Sequence, residues 1–495
     1  MGLFVLSRTI VDSLHGIVNL TAEEMAVIDH RLFQRMKSIR QTGMLHLVFP
    51  SAVHTRFEHS VGTLAMADRI LKAVNRESVK IRGKLYALRD AKPGQAVCLA
   101  DLPSEEYAQI RRVLRLCALV HDLGHGPLSH NFDAFAPSVK DVERLLGDAR
   151  LQAIVPYRQA LVVSKSGRVH HETVSVIMFA CIWNDVGGDE WMPRAVASVL
   201  LGEDALNVPD ELRPWIPFIR DMVSSAPVDA DRMDYLLRDS RATGVTCGHY
   251  DQHRILKSAL CVRDANGADC YRLGWRESGL SAIETFIWGR FQLFRGFYTN
   301  KTNRAAELML QTIGEEAAKQ GLSPVSMESL DSFMESYLFL GDEMFLGLLT
   351  GTLRPEFPAN ERISELAKLI QERKLWKRVW DFKARETWLC DPLMGGLRAQ
   401  YPNVHFIMDR RPLRAMKDIE HGSYLVGFNA EGKYSCPNAE STWFKESAIM
   451  RTLRDEEANN VRLYMDVPRS PLVPTRTVRE SAIRLANELI HAKNG

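Results

Sequence analysis

One stretch constrains this chain more than any other: LVHDLGHGPLSHNFD, residues 119–133. It crowds His121, Asp122, His125, His130 and Asp133 together, in a chain with only 15 histidines. The preceding run, SEEYAQIRRVLRLCALV, opens on Ser104 with acids early and then turns strongly apolar. Its pattern predicts a buried helix that runs into the histidines. Gly124, Gly126 and Pro127 then break that helix, so His121 and His125 need not share a face. Imidazole and carboxylate side chains together favour a divalent ion, imidazole suiting Zn, Fe, Mn, Ni or Co and carboxylate the harder ions. An isolated His-Asp pair would be a weak signal, because a helix end uses such residues as caps.

Two distant segments strengthen it. FPSAVHTRFEHSVG places His54, Arg56, Glu58 and His59 at the start of an amphipathic helix, where Val61, Leu64, Ala65, Ile70 and Val74 fall near one face. APVDADRMDYLLRDSRATGV carries Asp229, Asp231, Arg232, Asp234, Tyr235 and Asp239. Asp231, Asp234 and Tyr235 share a helical face with Asp239 close by, a costly set to bury unless cations pair with it.

At 495 residues the chain exceeds one ordinary core, and two or three lobes are expected. The net charge of +2 gives no global pull toward nucleic acid or membrane. No apolar run reaches the length of a membrane span, and neither a signal peptide nor a myristoylation pattern is recognisable at the start. The eight cysteines form no CxxC pair, so a reduced, cytoplasmic protein is expected. Residues 4–20 suggest a strand or hairpin, and Thr21 caps a helix through about Ile39. Further helices are expected at 171–184, 213–225, 229–240, 279–319 and 324–350. Asn266-Gly267 marks a hairpin. The fold class is therefore mainly α, a helical core (1–320) with short β-hairpins. A helical extension (321–400) and a smaller C-terminal α/β lobe (401–495) follow.

The segments RFEHS, HDLGHGPLSHNFD and DADRMDYLLRD, in that order, resemble the H…HD…D pattern of HD-domain phosphohydrolases. The likeness is nearest to the dNTP triphosphohydrolase branch and covers roughly residues 8–303, with IDHRLFQRMKSIRQTG and RFQLFRGFYTNKTN extending it. No sterile-alpha-motif region is expected ahead of the core. The resemblance implies an HD-domain core and one divalent ion (Mn, Fe, Zn, Ni, Co or Mg) held by His59, His121, Asp122 and Asp231. A second Mg accompanying the triphosphate is also compatible with it. It implies water attack at the α-phosphorus, giving a deoxynucleoside and tripolyphosphate. His130 would donate the proton to O5′, oriented by Asp133. His125 and His171 would stand near the phosphates, with Glu172 in support; the choice between His170 and His171 stays open. Arg56, Arg232, Arg290 and Lys301 would bind phosphate, Arg232 replacing a lysine found elsewhere in the family. Gln41 and Asp239 would meet the 3′-hydroxyl, Tyr235 would pack below the sugar, and Tyr298 would stack on the base.

Many relatives are nucleotide-activated tetramers. Asp29, Gln34 and Lys37 fall at activator positions, so a homo-oligomer (dimer or tetramer) with an activating nucleotide is an expectation. Solvated helix residues are an equal alternative for these three. Spacers at 78–104 and 138–168 are longer than in compact relatives and read as insertions. Two other functions compete: an HD-type phosphodiesterase or nuclease acting on nucleotide esters or single-stranded nucleic acid, and a nucleotide-binding regulator. The near-neutral charge argues against a nucleic-acid groove.

Overall fold

In the computed structural model, residues 5–162, 167–225, 227–353, 360–382, 384–411, 424–436, 460–467, 469, 470 and 472–494 are described. Parts of three expected segments fall outside them: 163–166 of the second insertion, 354–359 and 383 of the helical extension, and 412–423, 437–459, 468, 471 and 495 of the C-terminal lobe. The protein is mainly α-helical, with one sheet each of two, three and five strands among the described residues.

Leu6–Asp12 and Gly16–Thr21 form the N-terminal antiparallel hairpin. Thr21 and Glu24 then close a reciprocal capping box at the start of helix Ala22–Asp29. The helix expected to continue to Ile39 breaks at His30. That residue turns extended and accepts the Leu32 N–H on Nδ1 at 3.2 Å, starting a new turn, Arg31–Gln34.

The centre is built from three helices that carry the singled-out motifs. Arg56–Lys80 packs against both Ser104–Val120 and Ala230–Thr243. Every residue from Val113 to Val120 is buried, which explains the apolar run ahead of the histidines, interrupted only by Arg115. Asp68 ties the first two helices together, accepting from Arg111 at 2.5 and 2.9 Å and lying 3.0 Å from Arg115 and 2.8 Å from Lys72. Burial would raise its carboxyl, but Arg111, Arg115 and Lys72 overcome that and hold it at about 2. A depressed acid stabilises the fold above its ordinary value near 3.8 and loses that contribution as pH falls toward 2. Acid titration of folding should therefore lose about 2 kcal/mol across pH 4 to 2 through Asp68, and Asp68→Asn should flatten the curve there.

The hairpin expected at Asn266-Gly267 joins Ala259–Arg263 to Tyr271–Arg276. Ala96–Val97, from the first expected insertion, pairs on one side, and Tyr424–Phe428 pairs in parallel on the other. Tyr434–Ser435 pairs antiparallel with Tyr424–Phe428 as the fifth strand, so these two C-terminal strands stand apart from the three-stranded sheet, with Val426 in one apolar cluster with Leu260 and Val262. The three-stranded sheet runs Lys377–Phe382, Asn460–Met465, Phe406–Arg411, and packs on helices Cys390–Gln400 and Thr475–Asn494 around Val379, Leu393, Leu463 and Val478. Lys377–Phe382 lies within the stretch read as a helical extension. Its alternation is short, and its partner strand is distant in sequence.

The expected helix 279–319 divides into Leu280–Leu293, a π-turn at Phe294–Tyr298, and Lys301–Lys319 capped by Asn300. All eight cysteines are free thiols. Among the described residues, no helix is long and apolar enough to cross a membrane.

Candidate metal centre and cavity

His59 sits in the first turn of Arg56–Lys80, behind a capping box of Thr55 and Glu58. His121 caps the end of Ser104–Val120, and Asp122 follows it. Asp231 opens Ala230–Thr243, whose N-cap, Asp229, accepts the Arg232 N–H at 2.7 Å. Packing of the three helices brings these four groups together. His59 Nε2 lies 3.0 Å from Asp231 Oδ1 and 3.5 Å from Asp122 Oδ2. His121 Nε2 lies 3.5 Å from Asp122 Oδ1 and 3.6 Å from Asp231 Oδ1. Donors at adjacent octahedral positions of an ion bound at ~2.1 Å stand about 3 Å apart, so the spacing suits a shared divalent cation.

The ring orientations agree. His121 Nδ1 donates to Ala118 O at 2.9 Å, which leaves Nε2 buried, without a hydrogen-bond partner among the described residues and facing the other donors. His59 Nδ1 meets Asp234 Oδ2 at 2.8 Å, which aims its Nε2 inward. Asp234 is fully buried; it also takes His15 Nε2 at 2.6 Å and Arg238 at 2.8 and 2.9 Å, while Arg238 reaches Asp12 at 3.0 Å. Burial would lower the His59 imidazole, but Asp231, Asp234 and Asp122 raise it to about 10. Burial would raise Asp231 and Asp122. His121 and His59 hold Asp231 well down, and Arg56, His121 and His59 hold Asp122 down. The donor set therefore favours positive charge at its middle. The chemistry fits an ion, and nothing in it selects one metal.

Next to the centre opens a cavity of about 1310 Å³. His121, Asp122 and Asp231 line it, as do Gln41, Arg56, His125, His130, His171, Glu172, Arg232, Tyr235, Asp239, Arg290 and Tyr298. His171, not the exposed neighbour His170, forms its wall. The rings of His125 and His171 stack at 3.7 Å, and His130 approaches His125 edge-on at 4.8 Å. Burial, then Arg56 and the other imidazoles, push His125 well below its ordinary value. Arg56 pairs with Asp122 and donates to Ser129 Oγ at 3.1 Å. Tyr235 accepts from Arg290 at 3.2 Å. Gly124 permits this crowding. A Cβ there would lie 2.1 Å from His171 O, and the Gly124 N–H donates to Ser175 Oγ, which in turn donates to His121 O.

Not every expected site residue lines this cavity. His59 is sealed beneath the centre and does not line the cavity. Asp133 lies 3.7 Å from His130 Nδ1 but outside the cavity wall. Lys301 faces a separate hollow with Arg378, Trp380 and Arg479, because the break at Thr299–Asn300 rotates it toward the C-terminal lobe. Asp29 is exposed, Gln34 is engaged by Ile28 O and Lys37, and Lys37 covers Phe57, so these three form no part of the cavity. Asp239 is engaged by His54 at 2.7 Å and by Tyr298.

Sequence reasoning gave no role to His54, His15 and Arg238, nor to Arg304, Asp409 and Arg462, which also line the cavity. Arg304 is held by Asp409 at 2.8 and 3.0 Å. Nothing local marked Asp409 and Arg462, which arrive on C-terminal strands. His54, five residues before His59, was visible in its motif but had no visible partner.

No family model matches the chain. It is 26% identical over 341 residues to an uncharacterized protein of Methanocaldococcus jannaschii, covering 68% of this chain and 56% of that protein. It is 23% identical over 406 residues to a protein of Acanthamoeba polyphaga mimivirus described as HD domain-containing (79% and 78%). It is also 26% identical over 380 residues to the deoxynucleoside triphosphate triphosphohydrolase SAMHD1 homolog of Dictyostelium discoideum (75% and 60%). The chain thus spans somewhat over half the length of the first and third of these relatives.

Proposed function

From its kinship with HD-domain proteins, dNTP triphosphohydrolases among them, we propose that this chain hydrolyses deoxynucleoside triphosphates to deoxynucleoside and tripolyphosphate. The observation that carries this reading is the convergence of two imidazoles and two carboxylates at one end of a cavity lined by Arg56, Arg232 and Arg290. A divalent ion held by His59, His121, Asp122 and Asp231 would supply Lewis-acid polarisation of a phosphoryl oxygen and acidify a water.

The side chains do the rest. Arg56, Arg232 and Arg290 offset the charge of the triphosphate in a partly dry site, where fixed cations are worth more than in water. His125 and His171 form the wall beside them. Exposed His130, with Asp133 3.7 Å from its Nδ1, is the group offered to a leaving oxygen as proton donor. Tyr235 offers a flat face for the sugar. Gln41 Oε1 has no hydrogen-bond partner among the described residues and is the group offered to the 3′-hydroxyl of the deoxyribose.

His130→Asn should lower kcat by about 10²–10⁴-fold while the divalent ion is retained, as checked by steady-state kinetics and elemental analysis. The function itself is tested by incubating the metal-loaded protein with each dNTP, each NTP and a single-stranded oligonucleotide. Tripolyphosphate with nucleoside supports the proposal. Pyrophosphate, shortened oligonucleotide or binding without turnover refutes it.

A further inference from the structure

We infer that Asp342, outside the segment that carries the family resemblance, is a positioning residue that fastens the histidine loop to the Arg40–Gly43 segment and so fixes where His130 and Arg56 stand. The kinetic part of this inference rests on the proposed function; the structural part does not.

Leu128 and Ser129, immediately before His130, are both left-handed (φ 59° and 57°) without being glycine. Such a pair persists only where surrounding contacts hold it. Asp342 Oδ1 accepts the Leu128 N–H at 2.6 Å. Its Oδ2 accepts the Arg40 N–H at 3.0 Å and lies 3.5 Å from Arg40 Nη1. Arg40 Nη2 goes on to Glu343 at 2.6 Å. One carboxylate therefore bridges two backbone segments that are remote in sequence. Ser129 Oγ completes the lacing, donating to Arg40 O at 2.6 Å and accepting from Arg56. Gly43 lies against the same loop at φ +56°, where a Cβ would stand 2.8 Å from Leu128 O.

Asp342 is only 2% exposed, so its burial must be offset by these donors. Its helix, Asp342–Leu349, is seated on the other flank of the histidine loop. Phe345 meets Phe132 and Phe135 edge-on at 5.4 and 5.0 Å. The loop is thus gripped from both sides by one short helix.

The test compares the full-length wild type with Asp342→Ala and Asp342→Asn by hydrogen exchange, manganese content and dNTP kinetics. Asp342→Ala should speed amide exchange in peptides spanning 124–135 by about tenfold or more, with 60–75 unchanged. Manganese content should hold, and kcat should fall about 10–100-fold while KM moves less than about threefold. Asp342→Asn keeps an acceptor for Leu128 but turns an NH2 toward the Arg40 N–H, so it should fall between the two. The inference fails if exchange over 124–135 is unaltered in both variants. It fails equally if exchange rises as much over 60–75, or if the loop loosens with kcat unchanged. Should Asp342→Ala not fold, Asp342→Asn alone decides. A wild type that turns over no dNTP sinks the proposed function, while the exchange comparison still judges the fastening.

Discussion

Asp231→Ala should strip the protein of its divalent ion and of its turnover while leaving the fold standing. Asp231 is the one carboxylate within reach of both His59 Nε2 and His121 Nε2 that comes from the third helix. Its loss leaves two imidazoles and Asp122, with Asp122 already drawn to Arg56. Metal-assisted phosphoryl chemistry draws several kcal/mol of charge stabilisation from the ion, so turnover should drop about a thousandfold or more. Elemental analysis after dialysis, with the metal-free melting temperature as control, checks it. The folded core should tolerate the change, since the side chain is partly exposed to the cavity and its ion pairs among the described residues are with the two histidines. A variant that keeps its ion and its rate would remove the basis of the proposed chemistry.

Asp234→Ala should act one layer further out and damage both ion binding and folding. The fully buried carboxylate accepts from His59 Nδ1, His15 Nε2 and two nitrogens of Arg238. Its removal leaves the Arg238 guanidinium with Asp12 alone among these acids, in a place that water does not reach. Deleting one partner of such a buried set costs about 3–5 kcal/mol, because the remaining charge stays desolvated. His59 also loses the bond that orients its ring, which should weaken metal affinity about 10–100-fold. Denaturant titration of the metal-free protein and a manganese titration separate the two effects. Asp234→Asn should recover part of the stability, since its carbonyl oxygen still accepts one of these bonds. Equal stability of the alanine variant and the wild type would show that the buried network is not what holds the helices in register.

Much of the centre was legible because its residues sit at helix ends, where local sequence announces itself. The apolar run before His121, the capping residues around His59 and the Asp-rich start at Asp229 each mark a terminus that delivers a side chain. The one-sided face expected for Arg56–Lys80 understated its burial, since every residue from His59 to Leu64 is buried between neighbouring elements while Ala65 is only half-buried. The break at His30 was not legible, since it depends on one imidazole bonding a backbone N–H. Nor was the division of the C-terminal strands between two sheets, which turns on long-range pairing. Lys301 shows the same limit: it lies in the motif, but a two-residue break between helices decides which hollow it faces.

By itself the sequence marked the His- and Asp-rich segments and the helix ends that carry them, because capping and hydrophobic periodicity act within a few residues; the choice of four ligands within those segments came from the family resemblance. Only the tertiary structure decided that Asp234 orients His59, that Asp342 grips the histidine loop, and that Asp409 and Arg462 close the cavity. Those contacts join residues far apart in the chain. A carboxylate's partner across such a distance is chosen by packing, which no local pattern encodes.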